Sequence, residues 1–280
     1  MVWDKVHGKR ITFGEKSYSM SWMLYAVRMK SVIVPLADLK EEPYASVVCY
    51  PRANPSEMQG RLEELQRLGV EAIEFSGKSS AFMLSVQGKG YVGIVVVAHV
   101  GCERVALKMQ RVDSERESLE REAELLSKAN AVGVGPKFLA VTKHFLLMEL
   151  IDGGSLEYWL QMHQDKEAVR QILTDILEQC WRLDEITLDH GELSKAPKHL
   201  LVDNTDKPFI VDFETASTIR NASNVTSVCQ FLFQGKSEAC QKIVKVLGER
   251  NWDDLVAALR KYRKERNRKN FEDLKIQCLQ

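Results

Sequence analysis

The stretch that most constrains the fold runs from Ser85 to Lys108, SVQGKGYVGIVVVAHVGCERVALK. It spaces Gly88, Gly90 and Gly93 as G-x-G-x-x-G, continues through Val95 and closes on Val105-Ala106-Leu107-Lys108. Strand-forming residues flank the glycines on both sides. That pattern predicts a β-hairpin whose glycine-bearing turn lets backbone amides approach phosphates with no Cβ in the way. Three glycines alone are weak evidence, because an ordinary hairpin uses them equally well and a dinucleotide fold would lead them straight into a helix. The β-branched run from Ile94 to Ala98, followed by a turn at Gly101 into a second strand, argues against that helix.

Composition sets only wide limits. A chain of 280 residues with 45% hydrophobic content can hold one large domain or two lobes around a full core. Its 39 basic residues balance 39 acidic ones, so bulk charge points to no nucleic-acid or membrane partner, and any such binding must be local. Cys49, Cys102, Cys180, Cys229, Cys240 and Cys278 show neither C-x-x-C nor zinc spacing, which fits a reducing cytoplasm. Val32–Leu36 is far too short for a signal core or a membrane span, so a soluble, cytoplasmic protein without a membrane partner is expected.

Residues 1–28 lack sustained periodicity and read as a loosely ordered arm. Over 29–82 the expectation is a strand–helix–strand cap. Ser46–Tyr50 is its first strand, and the helix opens at Pro55-Ser56-Glu57 with Ser56 as N-cap and Met58, Leu62, Leu65 and Leu68 as its apolar face. Gly69 stops that helix and Val70–Phe75 returns as a strand, packed on the sheet that begins at Met83. Beyond Lys108, SLEREAELLSKAN is an amphipathic helix on which Glu122 lies near the apolar face, with Glu124 as its rival. Phe138–Val141 and His144–Leu150 read as strands. Met148-Glu149-Leu150-Ile151-Asp152-Gly153-Gly154-Ser155 then turns into a helix, and residues 155–185 are helical with a buried stripe of Val169, Ile172, Leu173, Ile176, Leu177 and Cys180.

Two acids then stand near the ends of two short apolar strands. Glu192 lies in Leu188-Asp189-His190-Gly191-Glu192-Leu193-Ser194, ahead of His199-Leu200-Leu201-Val202, and Asp212 lies in Phe209-Ile210-Val211-Asp212-Phe213-Glu214. Phosphoryl transfer needs such a pair: one carboxylate near the accepting hydroxyl and one on Mg²⁺. With the glycine hairpin, the V-A-L-K strand, R-E-A-E-L-L, N-A-V-G-V-G-P, K-H-L-L-V and N-V-T-S-V-C-Q-F-L-F, these motifs resemble atypical protein kinases of the RIO type. Among those they most resemble the archaeal family of predicted serine/threonine protein kinases.

The resemblance implies an α+β, bilobal protein-kinase-like fold. It has an N-lobe of sheet plus one helix over 83–151 and a reduced, mostly helical C-lobe over 152–280, with ATP in the cleft. It also implies roles. Gly88, Gly90, Gly93, Val95 and Ala106 would enclose the nucleotide. Lys108, partnered by Glu122, would hold its phosphates, and Met148, Glu149 and Ile151 would meet the adenine. Asp212 would bind Mg²⁺, and Glu192 would stand where kinases place the catalytic aspartate. The metal-binding asparagine is missing, and His199 falls at its place, as a metal ligand, a group that orients a phosphate or a cap on the strand. Glu214 replaces the glycine of D-F-G, as a solvated loop acid or as an added charge beside the metal. The expected activity is Mg-ATP-dependent transfer to a serine or threonine hydroxyl of a protein, including its own. A pseudokinase scaffold or slow ATPase switch and a small-molecule kinase are the alternatives. Residues 260–269 carry seven basic side chains, with Tyr262 and Phe271 as anchors if the run binds RNA or a ribosomal particle, and read otherwise as a solvated helix.

Overall fold

The computed structural model of the protein describes residues 10–13, 16–19, 31–53, 55–234 and 236–280. The chain divides into two compact units, residues 1–119 with 140–148 and residues 120–139 with 149–280. In chain order the strands and helices leading to the first long hairpin are β1 (Arg10–Phe13), β2 (Lys16–Ser19), β3 (Val32–Pro35), α1 (Tyr44–Val48), α2 (Pro55–Arg67), β4 (Val70–Phe75), β5 (Ser79–Ala81), β6 (Leu84–Val86), β7 (Gly88–Lys89), β8 (Gly93–Val100) and β9 (Glu103–Gln110). Of the arm expected over 1–28, β1 and β2 pair as an antiparallel hairpin, and the rest of that expectation lies outside the described residues.

The main antiparallel sheet follows the order β10 (Phe138–Val141), β11 (Phe145–Glu149), β9, β8, β4, β3, with β7 beside β8. Side chains alternate across a strand, and in the β8–β9 pair Val95 lies opposite Lys108 and Val97 opposite Ala106. Ile94, Val96, Ala98, Val105, Leu107 and Met109 therefore share one face, and all six belong to one buried cluster. Val95, Ala106 and Lys108 share the other.

The cap covers the first of these faces. Leu39, Val47, Val48, Met58 and Leu65 join the same cluster, each at most 6% exposed. Its topology differs from the strand–helix–strand expectation. Val70–Phe75 is a strand and pairs directly with β8, but Ser46–Tyr50 is not: this stretch lies largely within the single helical turn α1. Ala45, Val47, Val48 and Cys49 are all buried there, so burial in a short span between Pro43 and Pro51 overrides the β-propensity of adjacent valines. The strand that actually completes the cap is β3, which pairs with β4 at the sheet edge. Helix α2 starts at Pro55, a residue suited to a first helical position, so Ser56 sits inside the first turn and not at the cap. Gly69, at φ 73°, ends it as expected.

The second unit is mostly helical. It holds α3 (Glu120–Ala131), a small antiparallel sheet of β12 (Gly153–Ser155), β13 (Leu200–Asp203) and β14 (Pro208–Ile210), and helices α4 (Leu156–Met162), α5 (Lys166–Glu185), α6 (Asn224–Cys229), α7 (Glu238–Leu247), α8 (Trp252–Lys264) and α9 (Arg268–Leu279). The expected continuous helix over 155–185 is two helices. Ser155 caps α4, the chain extends at His163, and Asp165 caps α5. The stripe from Val169 to Cys180 is at most 2% exposed.

Near the C-terminus the basic run is broken between α8 and α9, and its presumed anchors point inward. Tyr262 and Phe271 are both 0% exposed and pack around Trp181, which stacks on Phe271 at 5.0 Å. Several of the charges are neutralised at the surface, Lys261 by Asp273 and Arg268 by Glu178. Among the described residues no helix is long and apolar enough to cross a membrane. The whole is a mixed α/β structure with an antiparallel sheet and several helices.

Because Leu65 is fully buried where the cap meets the sheet, Leu65→Ala is expected to cost about 2–5 kcal/mol in urea unfolding. A loss below about 1 kcal/mol would contradict a cap built into the core.

Candidate active site

In the first unit the glycine hairpin closes as its sequence implies. Gly88 lies opposite Val95, Lys89 opposite Ile94, and the Gly90 N–H donates to the Gly93 carbonyl at 2.8 Å. The glycines are needed for different reasons. A Cβ on Gly93 would stand 2.7 Å from the Met109 carbonyl, so strand packing alone demands it. Around Gly88 and Gly90 no protein atom comes nearer than 3.5 Å to a Cβ position, so nothing in the fold requires their smallness. Lys108 is 4% exposed, on the hairpin face shared with Val95 and Ala106. The cap braces this hairpin: Tyr50 accepts the Val112 N–H through its carbonyl, and its ring lies under the Lys89 ammonium at 4.7 Å and the Arg111 guanidinium at 5.1 Å. Met148 lies near the end of β11.

In the second unit Glu149 spends its N–H on the Lys137 carbonyl (2.8 Å) and its carboxylate on the Lys137 N–H (3.0 Å). Ile151 follows half-buried, in the connection to β12. Helix α3 settles which acid faces inward. Glu122 is 4% exposed, whereas Glu124 is at the surface and paired with Lys128 at 2.6 Å.

Asp212 follows β14 with φ 69° and ψ 75°, a left-handed conformation that aspartate tolerates better than most residues. Phe213, 1% exposed, is wedged into the interior while the acids on either side of it stay near the surface. Glu122, Asp212 and Glu214 each offer a carboxylate oxygen, and the three oxygens lie within 4.8 Å of one another. An all-oxygen donor set of this kind fits Mg²⁺.

Pairing of the flanking strands extends one step beyond β13 and β14, since Val211 donates to the His199 carbonyl at 3.0 Å. The His199 ring thereby reaches both acids the sequence singles out. Its Nδ1 is 4.0 Å from Asp212 and its Nε2 is 3.6 Å from Glu192, too long for hydrogen bonds but close enough for ion pairing when the ring is protonated. Glu192 itself is about 40% exposed.

The loop carrying Glu192 is stitched to the segment carrying Glu214. Asp189 and Ser217 exchange backbone hydrogen bonds at 2.9 and 2.8 Å, Arg220 donates to the Asp189 carboxylate at 2.8 Å, and Thr215 donates to the His190 carbonyl at 2.9 Å. Gly191, at φ 91°, leaves no room for a Cβ beside Arg220 and Thr215. His190 is fully buried. Its Nε2 donates to the Val211 carbonyl at 3.0 Å, one residue before Asp212, and its backbone N–H donates to Asn224 at 2.8 Å. Burial holds its imidazole pKa down at about 4, so the ring is neutral.

His190 and Asn224 were within reach of sequence reasoning, since both stand in motifs it picked out. Their contact spans 34 residues, and no local signal announces it.

Residues 99–227 of this chain match the family model of the RIO domain. The matched stretch takes in Lys108, Glu122, Glu192, His199, Asp212 and Glu214, and begins after Gly88, Gly90 and Gly93. The match spans just under half of the chain and supports a likeness to the RIO-like family of atypical protein kinases, which generally bind ATP with Mg²⁺. No curated protein matches the chain.

The neutral His190 makes folding stability depend on pH with a definite sign. Its folded pKa, about 4, lies below the unfolded value near 6.5, so the unfolded chain binds more protons in between. The contribution is complete above about pH 6.5 and is lost as pH falls toward 4. Between pH 7 and pH 5 the wild type should lose about 2 kcal/mol more than His190→Gln, which keeps a donor but cannot titrate. Urea titrations of both at the two pH values measure this, and equal losses would contradict the assignment.

Proposed function

We propose that this protein transfers the γ-phosphoryl group of ATP to a serine or threonine hydroxyl of a protein, its own chain included. The observation that carries this reading is the convergence of Glu122, Asp212 and Glu214 beside His199 and Glu192 within a RIO domain. Asp212 and Glu214 would hold Mg²⁺ through carboxylate oxygens, and the bound ion would supply neutralisation of phosphate charge. His199 is better read as a partner of the two acids than as a ligand, because Mg²⁺ prefers oxygen to imidazole nitrogen.

Lys108 would hold the α- and β-phosphates. Gly88 and Gly90, whose smallness nothing in the protein requires, keep backbone amides approachable by phosphate. Val95 and Ala106, on the same hairpin face as Lys108, would flank the base with Met148, the Glu149 carbonyl and Ile151. Glu192 would accept a hydrogen bond from the acceptor hydroxyl and take its proton. Its extra methylene, compared with the aspartate usual in kinases, displaces the carboxylate by about 1 Å, a shift able to cost about a hundredfold in rate.

That last feature favours a second reading, a slow ATPase switch with the same nucleotide and metal sites. The two are separated by following label from γ-labelled ATP into protein and into free phosphate. Protein-bound label is expected from the wild type. Asp212→Ala should abolish it, and Glu192→Gln should lower it by about 10²–10⁴-fold. Free phosphate alone would support the switch, and label transfer that survives Asp212→Ala would overturn both.

A further inference from the structure

The C-terminal basic run reads in sequence as a solvated helix or as a surface for partners, yet its tyrosine faces the other way. Tyr262 of α8 is fully buried, and its hydroxyl donates to Asp184 of α5 at 2.9 Å. Asp184 is itself only 4% exposed. Its other donors are the Asn224 N–H (2.9 Å), the Asn224 side-chain amide (2.8 Å) and the Val225 N–H (3.3 Å). All four donors are neutral. Burial raises the Asp184 carboxyl pKa, and the hydrogen bonds from Asn224 and Tyr262 oppose that shift.

Asn224, held in this way, grips the loop before Glu192 at two points. Its side-chain oxygen accepts the His190 N–H at 2.8 Å, and its amide donates to the Leu188 carbonyl at 2.7 Å. Both amide hydrogens are thus assigned, one to Asp184 and one to Leu188. The loop has no helix or strand of its own at 190–192 to fix its course. Displacement of a reacting group by about 1 Å costs about a hundredfold in rate, so whatever fixes this backbone bears on the chemistry.

We propose that Tyr262 and Asp184 are positioning residues for Glu192, acting through Asn224 on the backbone of the 188–192 loop. Through Tyr262 alone, helix α8 then contributes to aiming the catalytic carboxylate, and its basic exterior is incidental to that role. The proposal rests on the functional reading given above for Glu192.

Tyr262→Phe in the full chain removes only the hydroxyl and keeps the ring among Trp181 and Phe271. It should lower kcat about threefold to tenfold with KM for ATP unchanged, and Asn224→Ala should lower kcat about a hundredfold. Leu255→Ala, in the same helix and 1% exposed, controls for stability. It should lower the melting temperature and leave kcat within about twofold. If Tyr262→Phe behaves like Leu255→Ala, with a lower melting temperature and intact kcat, the proposal is overturned.

Hydrogen–deuterium exchange supplies a readout that does not need turnover. Exchange at 188–192 should quicken in Tyr262→Phe and stay unchanged in Leu255→Ala. If the wild type neither transfers nor hydrolyses phosphate, the functional reading falls, and loop exchange still decides the positioning claim: faster exchange supports it, and unchanged exchange overturns it.

Discussion

A carboxylate removed from water must find donors, and the second unit is arranged around one such group. Asp184 sits near the end of α5 and collects hydrogen bonds from the first residues of α6 and from α8. A buried acid left short of partners would cost several kcal/mol, so these elements are fixed relative to one another by the need to satisfy it. Because Asn224 answers Asp184 with one amide hydrogen and the 188–192 loop with the other, the same requirement sets the loop that carries Glu192. His190 then ties that loop to the residue before Asp212. Structure and chemistry meet in one short chain of hydrogen bonds.

The first unit depends on a different constraint, the alternation of side chains along a strand pair. Leu107 and Met109 enter the hydrophobic cluster with the cap, which obliges Ala106 and Lys108 to occupy the opposite face with Val95. The cap therefore does more than cover apolar surface. It decides which face of the hairpin joins the cluster shared with the cap and which face carries Val95, Ala106 and Lys108. Tyr50, between Lys89 and Arg111, carries the same influence to the hairpin base.

Much of this was legible in sequence wherever a local pattern governs. The glycine hairpin, the Glu122 helix and the buried stripe of α5 follow from period and turn chemistry, and the structure bears them out. Motif order also identified the kinase-like character that the RIO-domain match supports. Other features depend on partners far along the chain. Ser46–Tyr50 has the composition of a strand and folds as a helical turn because its neighbours in space bury it. Tyr262 and Phe271 are anchors in sequence only if the basic run binds RNA or a ribosomal particle, and their burial is not legible there because a basic run hides the apolar contacts of its aromatics. Glu214 could be a solvated acid or a metal neighbour on sequence alone, and only the geometry puts its carboxylate beside those of Glu122 and Asp212.

The central claim is that phosphate chemistry here runs on a carboxylate-held metal at Asp212 and Glu214, with His199 left to pair with the acids. The most direct test is anomalous diffraction from crystals grown with Mn²⁺ and a non-hydrolysable ATP analogue. The account predicts a metal peak bonded to oxygens of both Asp212 and Glu214 and none on His199. A metal bound through the His199 nitrogen with Glu214 turned away, or a bound nucleotide with no metal at Asp212, would contradict it.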